Sequence, residues 1–161
     1  RAMSEEKNVR LFERYGVFTS AECRAREEVM LENYVSVLSI ESATMNTMVS
    51  RLLYPSALRY AGSAAGSLTA LDGAGLSSLS ARAHTEALAR TLDDMAEALS
   101  ALQADKARLA ALDGAAARAR HIRDALRPDM ARLRTCCDTF ESMSDKSFYP
   151  IPDYIDLIHR I

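Results

Sequence analysis

The sequence predicts an all-α chain: an elongated antiparallel bundle of three long helices, with a short N-terminal helix and an extended, proline-rich C-terminal tail. Three observations carry that expectation. Wound at about 100° per residue, the stretch 19–60 places Met30, Leu31, Tyr34, Leu38, Met45, Met48, Val49 and Leu52 in one sector. Glu32, Ser36, Ser39, Ala43 and Arg51 fall opposite, which is the pattern of an amphipathic helix. Leu88, Leu92, Met95, Leu99, Leu102 and Leu109 follow the threes and fours of a coiled-coil seam. No segment sustains the alternation of a strand, and only 4 prolines and 6 glycines punctuate the 161 residues.

A helix over 19–60 would reach roughly 60 Å, too long for one small core unless other long helices lie beside it. A hydrophobic content of 48 %, mostly Ala, Leu and Met, supports a sizeable core. The formal charge of −2 argues against a nucleic-acid or anionic-membrane partner. Three cysteines, two of them adjacent (Cys136 and Cys137), make no disulfide framework and point to a reducing cytoplasm. No apolar run approaches the ~20 residues of a membrane span, and the start lacks a basic-then-apolar leader. The opening Arg1-Ala2-Met3 falls mid-pattern, so the chain reads as a piece of a longer protein.

Residues 1–18 are expected to form a short helix and lead-in segment, closed by Gly16. Residues 19–146 then make the bundle. Thr19 is the N-cap of the first long helix, and Glu22, three residues on, reaches back to the Thr19 amide. Pro55 is expected to bend or end that helix, with Gly62 and Gly66 confirming the stop. Residues 62–78, rich in Gly, Ser and Ala, read as a flexible connection. The second helix covers about 78–112 and reverses at Asp113-Gly114. The third covers about 114–144, with Ala119, Ile122, Leu126, Met130, Leu133, Cys137 and Phe140 on one face. Because that stripe keeps its phase, Pro128 predicts a kink and not a break. The short turn makes helices two and three antiparallel neighbours. From 147 on, Phe148, Tyr149, Pro150, Pro152 and Tyr154 predict an extended tail that lays its aromatics on the bundle, with one last helical turn over 153–158.

Candidate chemistry is sparse. His84, His121 and His159 are dispersed; His121 and Asp124 share a helix face, but a helical metal site needs a second such pair, and the sequence has none. Cys136 and Cys137 have no identifiable base. The arginines from Arg118 to Arg134 alternate with Asp124 and Asp129, the pattern of a solvated, salt-bridged face. The glycines between 62 and 75 follow no strand and precede no lysine, so no phosphate loop exists. No catalytic, cofactor-binding or metal-binding residue is assigned. Glu41 breaks its own pattern, lying in the apolar sector between Leu38 and Met45. A carboxylate there needs a cation, and the expected partner is Arg134 or another arginine of the third helix.

The segment from Leu11 to Tyr60 resembles the C-terminal region of type III glutamine synthetases. That family's "GVFT-x-x-E", "LE-x-Y", "IE-x-x-TM" and late "P-x-x-x-Y" are matched by Gly16 to Thr19 with Glu22, by Leu31-Glu32-Asn33-Tyr34, by Ile40-Glu41 with Thr44-Met45, and by Pro55 with Tyr60. Further on, its "P-x-M-x-x-LR" and closing "WP-x-P-x-Y" are matched by Pro128, Met130 and Leu133-Arg134, then by Tyr149-Pro150-Ile151-Pro152-Asp153-Tyr154. Tyr149 replaces the usual tryptophan, and Cys23 a usual aliphatic residue.

The resemblance implies a parent enzyme that joins ammonia to glutamate with ATP and Mg, in large double-ring homo-oligomers. Its catalytic domain would precede residue 1, so this piece carries no catalytic residue. Its expected partners are its own catalytic domain and neighbouring subunits, with no nucleic acid and no membrane. Apolar residues off the main sector, Val29 and Ile40, are the expected second contact. Two other readings stand beside it: a stand-alone coiled-coil interaction protein, and a metal-bearing helical bundle.

Overall fold

Two prolines expected to bend or stop helices sit inside uninterrupted ones. The computed structural model describes residues 2–152 and 154–159. After α1 (Glu6–Arg14), α2 (Ser20–Met48) passes through a π turn (Val49–Leu53) into α3 (Tyr54–Gly73) without a break. α4 (Leu79–Ala111) runs back alongside. α5 (Ala115–His121) continues through a second π turn (Ile122–Leu126) into α6 (Arg127–Met143), and α7 is Tyr154–His159. Counted through the π turns, the described residues form five helices, four of them of seven residues or more, and no strand. The chain is all-α, as expected, but its first long helix does not end where the sequence suggests.

The π turns explain why. A proline lacks the N–H for its own helical bond, and its ring collides with the carbonyl four residues back. Here the peptide just before each proline bonds one residue further back than usual. The Tyr54 N–H donates to the Val49 carbonyl ahead of Pro55, and the Arg127 N–H to the Ile122 carbonyl ahead of Pro128. The widened turn makes room for the ring and lets the helix go on. Val49, Leu53, Ile122 and Leu126, the ends of the two turns, are all buried.

The expected stop at residues 60–62 is therefore a correction. Residues 62–73 are helical, and the connection shrinks to 74–78, turning on Gly75 at φ 74°. Ala61 and Ala64 pack against the core, and the Ser67 and Thr69 hydroxyls donate back to the Ser63 and Ala65 carbonyls at 3.1 and 2.9 Å. Alanine's high helix propensity and this packing offset the two glycines. Arg82 closes the reversal by pairing with Asp72 at 2.9 Å.

The Thr19 cap forms as a reciprocal box, with the Glu22 N–H donating to Thr19 Oγ1 at 3.3 Å and the Thr19 N–H to Glu22 Oε2 at 2.8 Å. The bond from the Thr19 amide holds the Glu22 carboxyl below its ordinary value.

α4 is antiparallel to both neighbours. Gln103 donates to Asn46 at 3.0 Å and Tyr60 meets His84 at 3.1 Å on one side, while Arg132 reaches Glu97 at 2.8 Å on the other. Its buried seam is Leu88, Thr91, Met95, Ala98, Leu102, Asp105 and Leu109. This corrects the expected seam of Leu88, Leu92, Met95, Leu99, Leu102 and Leu109 at two positions: Leu92 and Leu99 are only partly buried. A helix between two partners needs two inward faces, and Thr91, Ala98 and Asp105 are buried beside the expected seam, Asp105 against His121 of α5.

On the first helix Met30, Met48 and Leu52 are exposed, whereas Val49 and Leu53 are buried. The extra residue in the π turn moves the inward position from Leu52 to Leu53; Met30 and Met48 precede that turn and are not moved by it.

Helicity at 62–73 has a direct test. An added Cβ at Gly62 or Gly66 meets no atom within 4 Å. Gly62→Ala and Gly66→Ala should each raise unfolding free energy in urea by about 0.5–1 kcal/mol; a flexible linker there would show no change.

Candidate functional site

Between α2, α6 and the C-terminal tail lies an open groove of 620 Å³. Met45, Met48, Val49, Leu53 and Met130 form its apolar wall, and Tyr149, Ile151 and Pro152 its end. Glu41, Arg134, Asp138 and Glu141 stand among its lining. The expected Glu41–Arg134 pair is not formed. Arg134 Nε donates instead to Asp138 Oδ1, one turn along its own helix, at 2.6 Å. Glu41 is exposed, and no ion pair involves it among the described residues. The physical reason is the open groove: α2 is left uncovered here, so the carboxylate stays in water and needs no cation.

The tail is held by tilted aromatic contacts. Phe148 packs on Tyr60 with ring centroids 5.2 Å apart, and Tyr149 on buried Phe140 at 6.0 Å. The Ser56 hydroxyl donates to the Phe148 carbonyl, and the Tyr149 hydroxyl to Glu141 Oε2 at 3.1 Å. Burial, then that bond to Glu141, pushes the Tyr149 phenol up to about 12. A 3-10 turn, Lys146–Phe148, precedes the extended residue Tyr149; Pro150 and Pro152 are exposed. The last helical turn is α7, with Asp153 and the Tyr154 side chain outside the described residues.

Sequence reasoning missed Asp105. It is 4 % exposed and accepts from Arg108 Nη1 at 2.9 Å. His121 Nε2 lies 3.1 Å from the Asp105 carbonyl oxygen and 3.9 Å from its Oδ1. A carbonyl only accepts, so Nε2 carries the hydrogen. The signal was present: continuing the seven-residue step from Thr91 and Ala98 lands on Asp105. Asp124, expected beside His121, is instead clamped by Arg123 at 2.6 and 2.8 Å. Among the described residues no group of three or more His, Cys, Asp or Glu converges on a possible metal position. No helix of the described residues is long and apolar enough to cross a membrane.

Fold and groove together define an all-helical domain of long amphipathic rods, with an apolar groove left open. Residues 1–72 match the family model for the glutamine synthetase C-terminal domain. The chain is also 27 % identical, over 164 residues, to a glutamine synthetase of Butyrivibrio fibrisolvens; the match covers 97 % of this chain and 23 % of that protein. The chain thus spans about a quarter of the length of the curated relative it matches. Both matches support a glutamine synthetase C-terminal domain, the family its motifs resemble.

The cysteines are packed away from solvent in this arrangement. Cys23, Cys136 and Cys137 are all buried and free. Burial pushes the Cys136 thiol up, and that of Cys137 to about 11. Thiolate is the reactive form, so thiol-labelling reagents near neutral pH should modify the native chain slowly and all three sites quickly in denaturant. Fast labelling of Cys137 in the native state would contradict the packing.

Proposed function

We propose that the chain is the helical C-terminal domain of a type III glutamine synthetase and serves subunit packing and ring assembly. The parent enzyme would make glutamine from glutamate, ammonia and ATP with Mg, in the cytoplasm, using residues outside this chain. The motif matches support the family side of this reading.

One observation carries the packing side: an apolar face on the first rod that no described residue of this chain covers. Val29 is 63 % and Ile40 65 % exposed. Met30, Val37, Met48 and Leu52 are exposed as well. Contiguous apolar surface of this kind marks an interaction site more often than a free surface. The partners would be the enzyme's own catalytic domain and neighbouring subunits. Ile40 and Met48 also line the groove, so one contact would cover both features.

The test uses the double substitution Ile40→Glu, Met48→Glu in the protein expressed from its whole reading frame. Both positions are exposed, so the 161-residue chain alone should keep its stability to within about 0.5 kcal/mol at each site. The whole protein should lose its large assemblies in light scattering. Unchanged assembly would overturn the packing role; a whole protein without glutamate–ammonia ligase activity would overturn the family reading.

A further inference from the structure

We infer that α2 packs against the α2 of a second copy of this chain, antiparallel, across a two-fold axis beside Ile40. This rests on the packing role proposed above and names the partner of the same apolar face.

The geometry starts from a line of helix that faces water yet carries no charge. At about 100° per residue, Val29, Asn33, Val37, Ile40, Thr44 and Thr47 fall within about 60° of Ile40 on α2. All six are exposed. A helix face that stays in water normally carries charged residues. Within 33–47 the only charged residue is Glu41, and it lies about 100° round from Ile40, at the rim of the groove. Thr47 Oγ1 donates to the Ala43 carbonyl at 3.0 Å, so its hydroxyl needs no outside partner.

The ends of the line decide the occupant and its direction. Glu28 and Glu32 flank one end, and Arg51 stands at the other. All three are exposed, and none has an ion-pair partner among the described residues. A parallel copy would set acid against acid and base against base, which an interface penalises. In an antiparallel copy centred on Ile40, residues equally far from Ile40 on either side face each other. Arg51 then comes opposite Val29 of the second copy, within one turn of the Glu28 and Glu32 of that copy. Asn33 faces Thr47, and the two Ile40 side chains meet on the axis. The face is thus complementary to itself, which is what a two-fold contact between identical chains requires.

The experiment places single cysteines in the protein expressed from its whole reading frame and oxidises it mildly, with linked peptides identified by mass spectrometry. A disulfide needs Cα atoms within about 7 Å. Ile40→Cys should link to itself between two subunits, while the buried Cys23, Cys136 and Cys137 stay unlinked. Val29→Cys alone and Arg51→Cys alone should not link, but the two co-expressed should link to each other. Arg51→Glu should raise the concentration needed for assembly about tenfold, and adding Glu28→Arg and Glu32→Arg should bring it back. All these positions are exposed, so the fold is not at stake. Absence of the Ile40→Cys link, in a protein that still loses its assemblies on Ile40→Glu, Met48→Glu, would overturn the two-fold pairing and leave the packing role standing, with another part of the whole protein on this face. A self-link by Val29→Cys would mean a parallel pair and overturn it equally. Unchanged assembly in the double variant would remove both readings.

Discussion

The whole architecture depends on two hydrogen bonds that reach one residue too far. The Tyr54 N–H bonds to Val49 and the Arg127 N–H to Ile122, and each relieves the proline that follows. If the first rod ended at Pro55, the early turns of α4 would have no partner. Tyr60 could not meet His84, and the turn through Gly75 would not be closed by Asp72 and Arg82. A π turn is a costly irregularity in a helix. Here both carry buried aliphatic side chains at each end, so the packing of Val49, Leu53, Ile122 and Leu126 compensates for the weaker ladder.

α4 is the shared strut, and its polarity is not uniform. Among the buried polar residues, Thr91 bonds back to the Ala87 carbonyl and Ser42 to the Ser39 carbonyl, each at 2.9 Å and within its own helix. Ser56 is satisfied by the tail carbonyl of Phe148. Asp105 differs in kind. A hydroxyl can be satisfied by the nearest carbonyl, but a carboxylate accepts only, and helix carbonyls offer it nothing. Its donor is Arg108, one turn along α4, and His121 of α5 bonds to the Asp105 carbonyl and lies 3.9 Å from its carboxylate, which ties α4 to α5 by a polar contact. Such contacts select one register of packing more strictly than hydrocarbon does.

The groove and the apolar face of α2 belong to a chain that spans 23 % of its matched relative. A rod of residues 20–73 reaches about 80 Å at 1.5 Å per residue, longer than α4 or the α5–α6 rod can flank. That mismatch leaves part of the rod uncovered by the other described helices. The open groove also explains Glu41: water meets its needs, and Arg134 is left to Asp138.

Much of the fold was legible because it rests on contacts within a few residues. The Thr19–Glu22 cap, the helical type of every long segment, the reversal at Gly114 and the inward stripe from Ala119 to Phe140 depend on local spacing and turn chemistry. The end of the first rod was not, because Pro55 and the glycines at 62 and 66 are local stop signals that a remote surface overrides. The seam residues Thr91, Ala98 and Asp105 were hidden by more hydrophobic neighbours, since composition does not show how many partners a helix has. What the sequence by itself determined is which stretches coil and where their greasy sides begin. Tertiary structure alone decided how far each coil runs, which carboxylate is buried and which is left in water, because burial is a property of the neighbours and not of the residue.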